Sequence, residues 1–181
     1  MPASPVFVFE HAGHERVARR VLARLPALIG APIRIQREPG IRDRYGRVHA
    51  GSFLRERRIA LGCTAAEFPR IFVHELFHFV WLRAGNRLRL AYERLIRAEL
   101  RAGARGELGW SAEWRKGALE SRDIRLRTRR WREYCCESFC DNAAWLYSGV
   151  AGHSEFTLAG NHRQSRRKWL LRAVNGRPLP L

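Results

Sequence analysis

Apolar positions recur at helical spacing, or alternate in strand fashion, along most of the chain. Val17, Val21, Leu22 and Leu25 share one helical face within residues 13 to 25, and Pro26 ends that helix. Residues 32 to 38, "PIRIQRE", alternate as a short strand, and residues 45 to 62 as one or two strands with glycines at bends. Within the latter, "ERRIALG" (56 to 62) sets Ile59 and Leu61 against Arg58 and Ala60, the pattern of an edge strand with one buried face. A helix from Phe68 to Ala84 is apolar almost all round, with Pro69 in its first turn and Gly85 at its stop. Residues 86 to 103 form an amphipathic helix. Residues 104 to 127 are polar and mixed, with a helix start at 111 to 114. Arg129 to Tyr147 form another helix, stopped by Gly149. Asn161 with Gln164 has the form of a capping box that opens a last helix ending at Val174. One helix, a small mixed or antiparallel sheet and then mostly helices predict an α+β fold in a single domain spanning residues 1–181.

The most apolar helix carries the chemistry. Its "RIFVHELFHFVW" segment places His74, Glu75 and His78 among Phe72, Val73, Leu76, Phe77, Phe79 and Trp81. Four residues advance a helix by about one turn, so His74 and His78 share a face ~6 Å apart along the axis. Two imidazoles so placed can converge on one metal at ~2.0–2.1 Å. Glu75 points too far round to join them and is placed to take a proton from a metal-bound water. A core helix with hydrogen-bonded histidines is the alternative, but burying Glu75 unpaired there costs several kcal/mol. The pattern HExxHxxGxxH is excluded, because Trp81 and Ala84 stand where its glycine and third histidine belong. A third ligand must come from elsewhere. "WREYCCESFCDNAAWLYSG" offers Glu137 and Asp141, four apart on one helical face, as a ligand and a carboxylate that hydrogen-bonds a metal-bound histidine. Glu133 and Glu155 are the rival ligands. Cys136 and Cys140 read as small core fillers.

HELFH followed by a helix bearing ExxxD resembles the gluzincin group of zinc metallopeptidases, thermolysin-like in site logic. The resemblance covers roughly residues 45 to 85 and 130 to 149. It implies a zincin-like fold, a zinc ion (Zn2+) held by His74, His78 and Glu137, Glu75 as general base, Asp141 behind a ligand histidine, and hydrolysis of peptide bonds by a zinc-activated water. Such hydrolysis also calls for a donor to the oxyanion. Tyr134, Tyr147, His153 and His162 are the candidates, with His153, just beyond the glutamate helix, taken as the catalytic donor.

Composition narrows the setting. A hydrophobic share of 46% and six tryptophans exclude a disordered chain. No apolar run reaches the ~20 residues of a membrane helix, and no membrane partner is expected. The start of the chain lacks an export signal, and four cysteines without CxxC spacing argue against a disulfide framework, so a cytoplasmic setting is expected. The net charge is +17, and all basic residues but Lys116 and Lys168 are arginine. That charge favours anionic partners and allows weak, non-specific nucleic-acid binding beside a peptide or protein substrate. The rival functions are a non-catalytic nucleic-acid-associated protein on the same scaffold and a protease of nucleic-acid-bound proteins.

Overall fold

The computed structural model describes residues 7–43 and 46–181; position 45, the first of the predicted strand region, lies outside them. In chain order the elements are β1 (Phe7–Phe9), α1 (Ala12–Leu22), β2 (Leu28–Ile29), β3 (Ile33–Arg37), β4 (Arg42–Asp43), β5 (Gly46–Arg47), β6 (Ala50–Phe53) and β7 (Arg58–Leu61), then α2 (Phe68–Arg83), α3 (Gly85–Arg101), α4 (Trp110–Gly117), α5 (Ser121–Leu126), α6 (Arg129–Tyr147), α7 (Gly160–Val174) and β8 (Leu179–Pro180). The fold is α+β, a small mixed sheet followed by helices. No described helix is long and apolar enough to cross a membrane.

The main sheet has the order β1-β3-β7-β6. β1 and β3 pair in parallel, as do β3 and β7, while β6 runs antiparallel to β7 and forms the edge. This corrects the expectation for residues 56 to 62. β7 is paired on both sides, by Arg34–Arg37 of β3 and by Ala50–Phe53 of β6. The reason lies at Ala60. Alternation places it with Arg58 on a solvent face, yet Ile59, Ala60 and Leu61 are all buried. Both faces of β7 are therefore covered, as in a central strand. The capping box expected at Asn161 does not form either: α7 starts at Gly160 without a side-chain cap. A capping box does open α5, between Glu120 and Asp123.

α2 lies at the centre because it is apolar on every side. It packs chiefly on α6, and also on α1, β6 and β7. Phe77 meets Phe139 at 5.8 Å between ring centroids and Tyr147 at 5.9 Å, and Trp81 meets Phe139 at 5.0 Å. Aromatic contacts of this kind lock the register of α2 on α6. A polar hub supports the far side. Arg166 on α7 is fully buried and donates to Glu99 of α3 at 2.8 Å and to Glu107 at 2.6 Å. Glu107 also accepts from Tyr134 of α6 at 2.5 Å and lies 3.4 Å from the Lys116 ammonium of α4. Glu107 sits in the loop that leads into α4. There Gly106, at φ +71, passes so close to Thr157 that a Cβ would meet its main chain at 2.5 Å. The hub thus fixes the approach of α4 to α6.

Candidate metal centre

α2, α6, α4 and the edge strand β6 together line a cleft of about 770 Å³. His74 and His78 face into it one turn apart, as their spacing dictates, and Glu137 comes from the adjoining turn of α6. His74 Nε2 lies 3.2 Å from His78 Nε2 and 3.3 Å from Glu137 Oε2, and the third edge, from His78 Nε2 to Glu137 Oε2, is 4.0 Å. Atoms bound at ~2.0–2.1 Å to one tetrahedral ion stand roughly 3.3 Å apart. Two edges of the triangle match that value and the third is slightly open, so the three groups fit a zinc ion.

Each ligand atom is aimed by a partner behind it. His74 Nδ1 donates to Asp141 Oδ1 at 2.7 Å, which leaves the Nε2 lone pair facing the triangle. The other carboxylate oxygen of Asp141 is buried and has no hydrogen-bond partner among the described residues. Gly109 packs directly on this carboxylate. His78 Nδ1 lies 3.4 Å from Cys136 Sγ, so the thiol stands where a carboxylate or carbonyl usually orients a ligand histidine. Cys136 is therefore more than a filler, whereas Cys140 is buried in the core. His78, Cys136 and Cys140 also lie close enough together to form a second potential ligand group. On Glu137, Oε2 accepts from Ser111 Oγ at 2.7 Å, and Oε1 lies 3.3 Å from Arg115 Nη2.

The electrostatics follow from this packing. Burial works against a proton on either imidazole, but Asp141, Glu137 and Glu75 raise His74 well above its ordinary value. For His78, burial is outweighed by Cys136 and Glu137, which bring it up to about 9. Burial would push Glu137 up, yet His74, His78 and Arg115 hold its carboxyl well below the usual carboxylate range. A hydrogen bond from Cys140, opposed by burial and aided by His78, brings Cys136 down to about 6. The cluster therefore draws positive charge to the point where the three ligand atoms meet.

Glu75 lies on the cleft beside this triangle and does not join it. Its partner is Ser52 of β6, whose hydroxyl lies 2.6 Å from Glu75 Oε2 and 2.7 Å from its main-chain carbonyl. The edge strand thus holds the carboxylate in place and keeps its own outer rim open to the cleft.

No protein-family model, curated protein or solved structure matches the chain. The site is read from its own geometry.

Several sequence-based expectations fall elsewhere. His153 does not line the cleft. Its Nε2 donates to Glu67 at 3.0 Å and its Nδ1 accepts the Glu155 amide, which holds the ring beside the start of α2. Tyr134 is spent on Glu107, and neither Tyr147 nor His162 reaches the cleft. Of the rival ligands, Glu133 pairs with Arg129, and Glu155 lines the cleft but accepts from Arg70 at 2.9 Å and from the Trp110 amide at 2.8 Å. Sequence reading missed Ser52, Ser111 and Arg115. The signal for the last two was present in "WSAEWR", where two Trp-polar doublets four residues apart give a short helix one aromatic and one polar face.

Proposed function

We propose that the chain is a zinc metallopeptidase of zincin-like fold, with His74, His78 and Glu137 as the residues that hold the ion. The observation that carries this reading is the convergence of these three ligand atoms on a cleft that also presents Glu75 and an open strand edge. A bound zinc would polarise the scissile carbonyl and make water acidic enough to attack near neutral pH. Glu75 accepts the proton of the attacking water and passes it to the leaving amine. Ser52 keeps the carboxylate facing the reacting atoms. Asp141 and Cys136 hold the histidine protons at Nδ1, and Ser111 with Arg115 fix Glu137. With His153 paired to Glu67 outside the cleft lining, a bound zinc would be the group that meets the negative charge developing on the carbonyl oxygen.

The substrate is an extended peptide. Among the described residues no further strand pairs with the outer edge of β6 (Ala50–Phe53), so an extended peptide can add there as a further strand. Free cysteines accord with a cytoplasmic setting. The +17 charge supports a weak, salt-sensitive affinity for nucleic acid elsewhere on the surface. Metal analysis of the purified protein, together with cleavage of a fluorogenic casein, tests the reading. About one zinc per chain, lost in Glu137→Ala, is expected. Full zinc in that variant would overturn the ligand assignment.

A further inference from the structure

α4 presents two indoles to the cleft. Trp110 is 65% exposed and Trp114 44%, large values for the most apolar-rich of side chains. The rings lie 6.1 Å apart and within 7° of parallel, one helical turn from each other. The adjoining positions, Ser111 and Arg115, form the face that grips Glu137, so the indoles are held at a fixed place relative to the triangle. The guanidinium of Arg115 sits 5.2 Å from the Trp114 ring and stiffens it.

The charges of the cleft decide what lies on the indoles. Around the histidines of the triangle, Glu75, Glu137, Asp141 and Glu155 line it, against Arg70 and Arg115. Both arginines are already engaged, Arg70 by Glu67 and Glu155 and Arg115 by Glu137. Away from the triangle a phosphate backbone would meet carboxylates and arginines that are already paired, so base stacking by nucleic acid is disfavoured there despite the basic surface. A carboxylate side chain is disfavoured for the same reason.

We infer that Trp110 and Trp114 form a substrate subsite that takes an aromatic or large apolar side chain of a peptide lying along β6. This inference rests on the peptidase reading and adds the substrate class. An apolar side chain that leaves water for two flat, pre-ordered indoles gains area burial and ring contacts without disturbing the ion pairs around it.

The test uses peptides capped with a zinc-binding hydroxamate, carrying phenylalanyl, alanyl or lysyl side chains, and measures their affinity for the zinc-loaded protein by calorimetry. The phenylalanyl probe is expected to bind at least roughly tenfold more tightly than the alanyl one. Trp110→Ala combined with Trp114→Ala should remove most of that preference, and Trp110→Phe should keep it. Zinc content checks that the variants hold their site. Equal affinity for the three side chains, preference for lysyl, or a phenylalanyl preference that survives the double substitution would each overturn the subsite. So would a double variant that loses oligonucleotide binding while its side-chain preference stays intact. A phenylalanyl preference in a protein that cleaves no peptide would sink the peptidase reading and leave the subsite standing. Cleavage without side-chain preference would do the reverse.

Discussion

Replacing Gly109 by alanine should damage the proposed metal centre without touching any of its three candidate ligands. Gly109 is the N-cap of α4, and its φ of −174° and ψ of 152° are extended backbone that alanine adopts without cost. The need for glycine is one of space. A Cβ there would stand 2.3 Å from Asp141 Cγ, 2.3 Å from Oδ1 and 2.4 Å from Oδ2. Non-bonded heavy atoms settle at about 3.5–4.0 Å, so the carboxylate and the start of α4 must separate by about 1 Å. Asp141 cannot retreat into a core that leaves it 2% exposed, so it gives up its 2.7 Å bond to His74. Losing the outer partner of a ligand histidine typically lowers metal affinity 10- to 100-fold, about 1.4–2.7 kcal/mol. Overpacking adds about 1–3 kcal/mol of lost stability. Zinc affinity is read by competition with a chromophoric chelator, and stability by urea unfolding. A double-mutant cycle isolates the cause. In the Asp141→Ala background the clash disappears, so Gly109→Ala should cost little more there. Wild-type zinc affinity in Gly109→Ala, or additive losses across the cycle, would refute the argument.

Other substitutions separate the remaining parts. Glu75→Gln should keep its zinc and fold while hydrolysis of a fluorogenic peptide falls ~10²–10⁴-fold, since an amide accepts no proton; wild-type turnover would rule out the general-base role. Cys136→Ala should weaken zinc by roughly tenfold through loss of the His78 partner. If Cys140→Ala strips the metal while Glu137→Ala does not, the ion sits instead between His78 and the two sulfurs. Arg166→Met strands Glu99 and Glu107 and should cost about 3–5 kcal/mol in urea unfolding at neutral pH. Burial pushes Glu107 up, but Arg166, Lys116 and Tyr134 together hold it below its ordinary value. Its stabilising share is therefore complete above about pH 4.3 and lost as pH falls through the lower folded pKa. The acid limb of the stability curve should shrink in Arg166→Met, and an unchanged limb would assign it to other carboxylates.

Features that depend on spacing within one helix were legible in the chain. His74 with His78 and Glu137 with Asp141 share faces because four residues make about one turn, and α6 runs over Arg129–Tyr147 as its apolar pattern predicts. Features that depend on which elements meet were not. β7 differs from an edge strand only in whether Ala60 meets solvent or another layer, and alternation alone cannot distinguish them. His153 follows α6 closely in sequence, yet Glu67 draws it to the start of α2. Ser52 reaches Glu75 across 23 positions, and Ser111 reaches Glu137 across 26. Local pattern can give a short helix its polar face, but it does not say which distant side chain that face will meet. Cys136 packs as a small apolar residue would, and only its neighbour His78 reveals its role.

The buried Arg166 hub also sets the order in which the cleft can take shape. α4 has eight residues, too few to persist as a helix without support. Its support is the Glu107 loop, whose charge is compensated from α7. In a chain growing from its N-terminus, every residue of the triangle emerges before Arg166 does. The ligands are then present on α2 and α6, but the wall that fixes Glu137 and carries the two indoles is not yet clamped. A nascent chain therefore holds these side chains without a shaped cleft, and the cleft is completed only with the docking of a helix that contributes no residue to its lining.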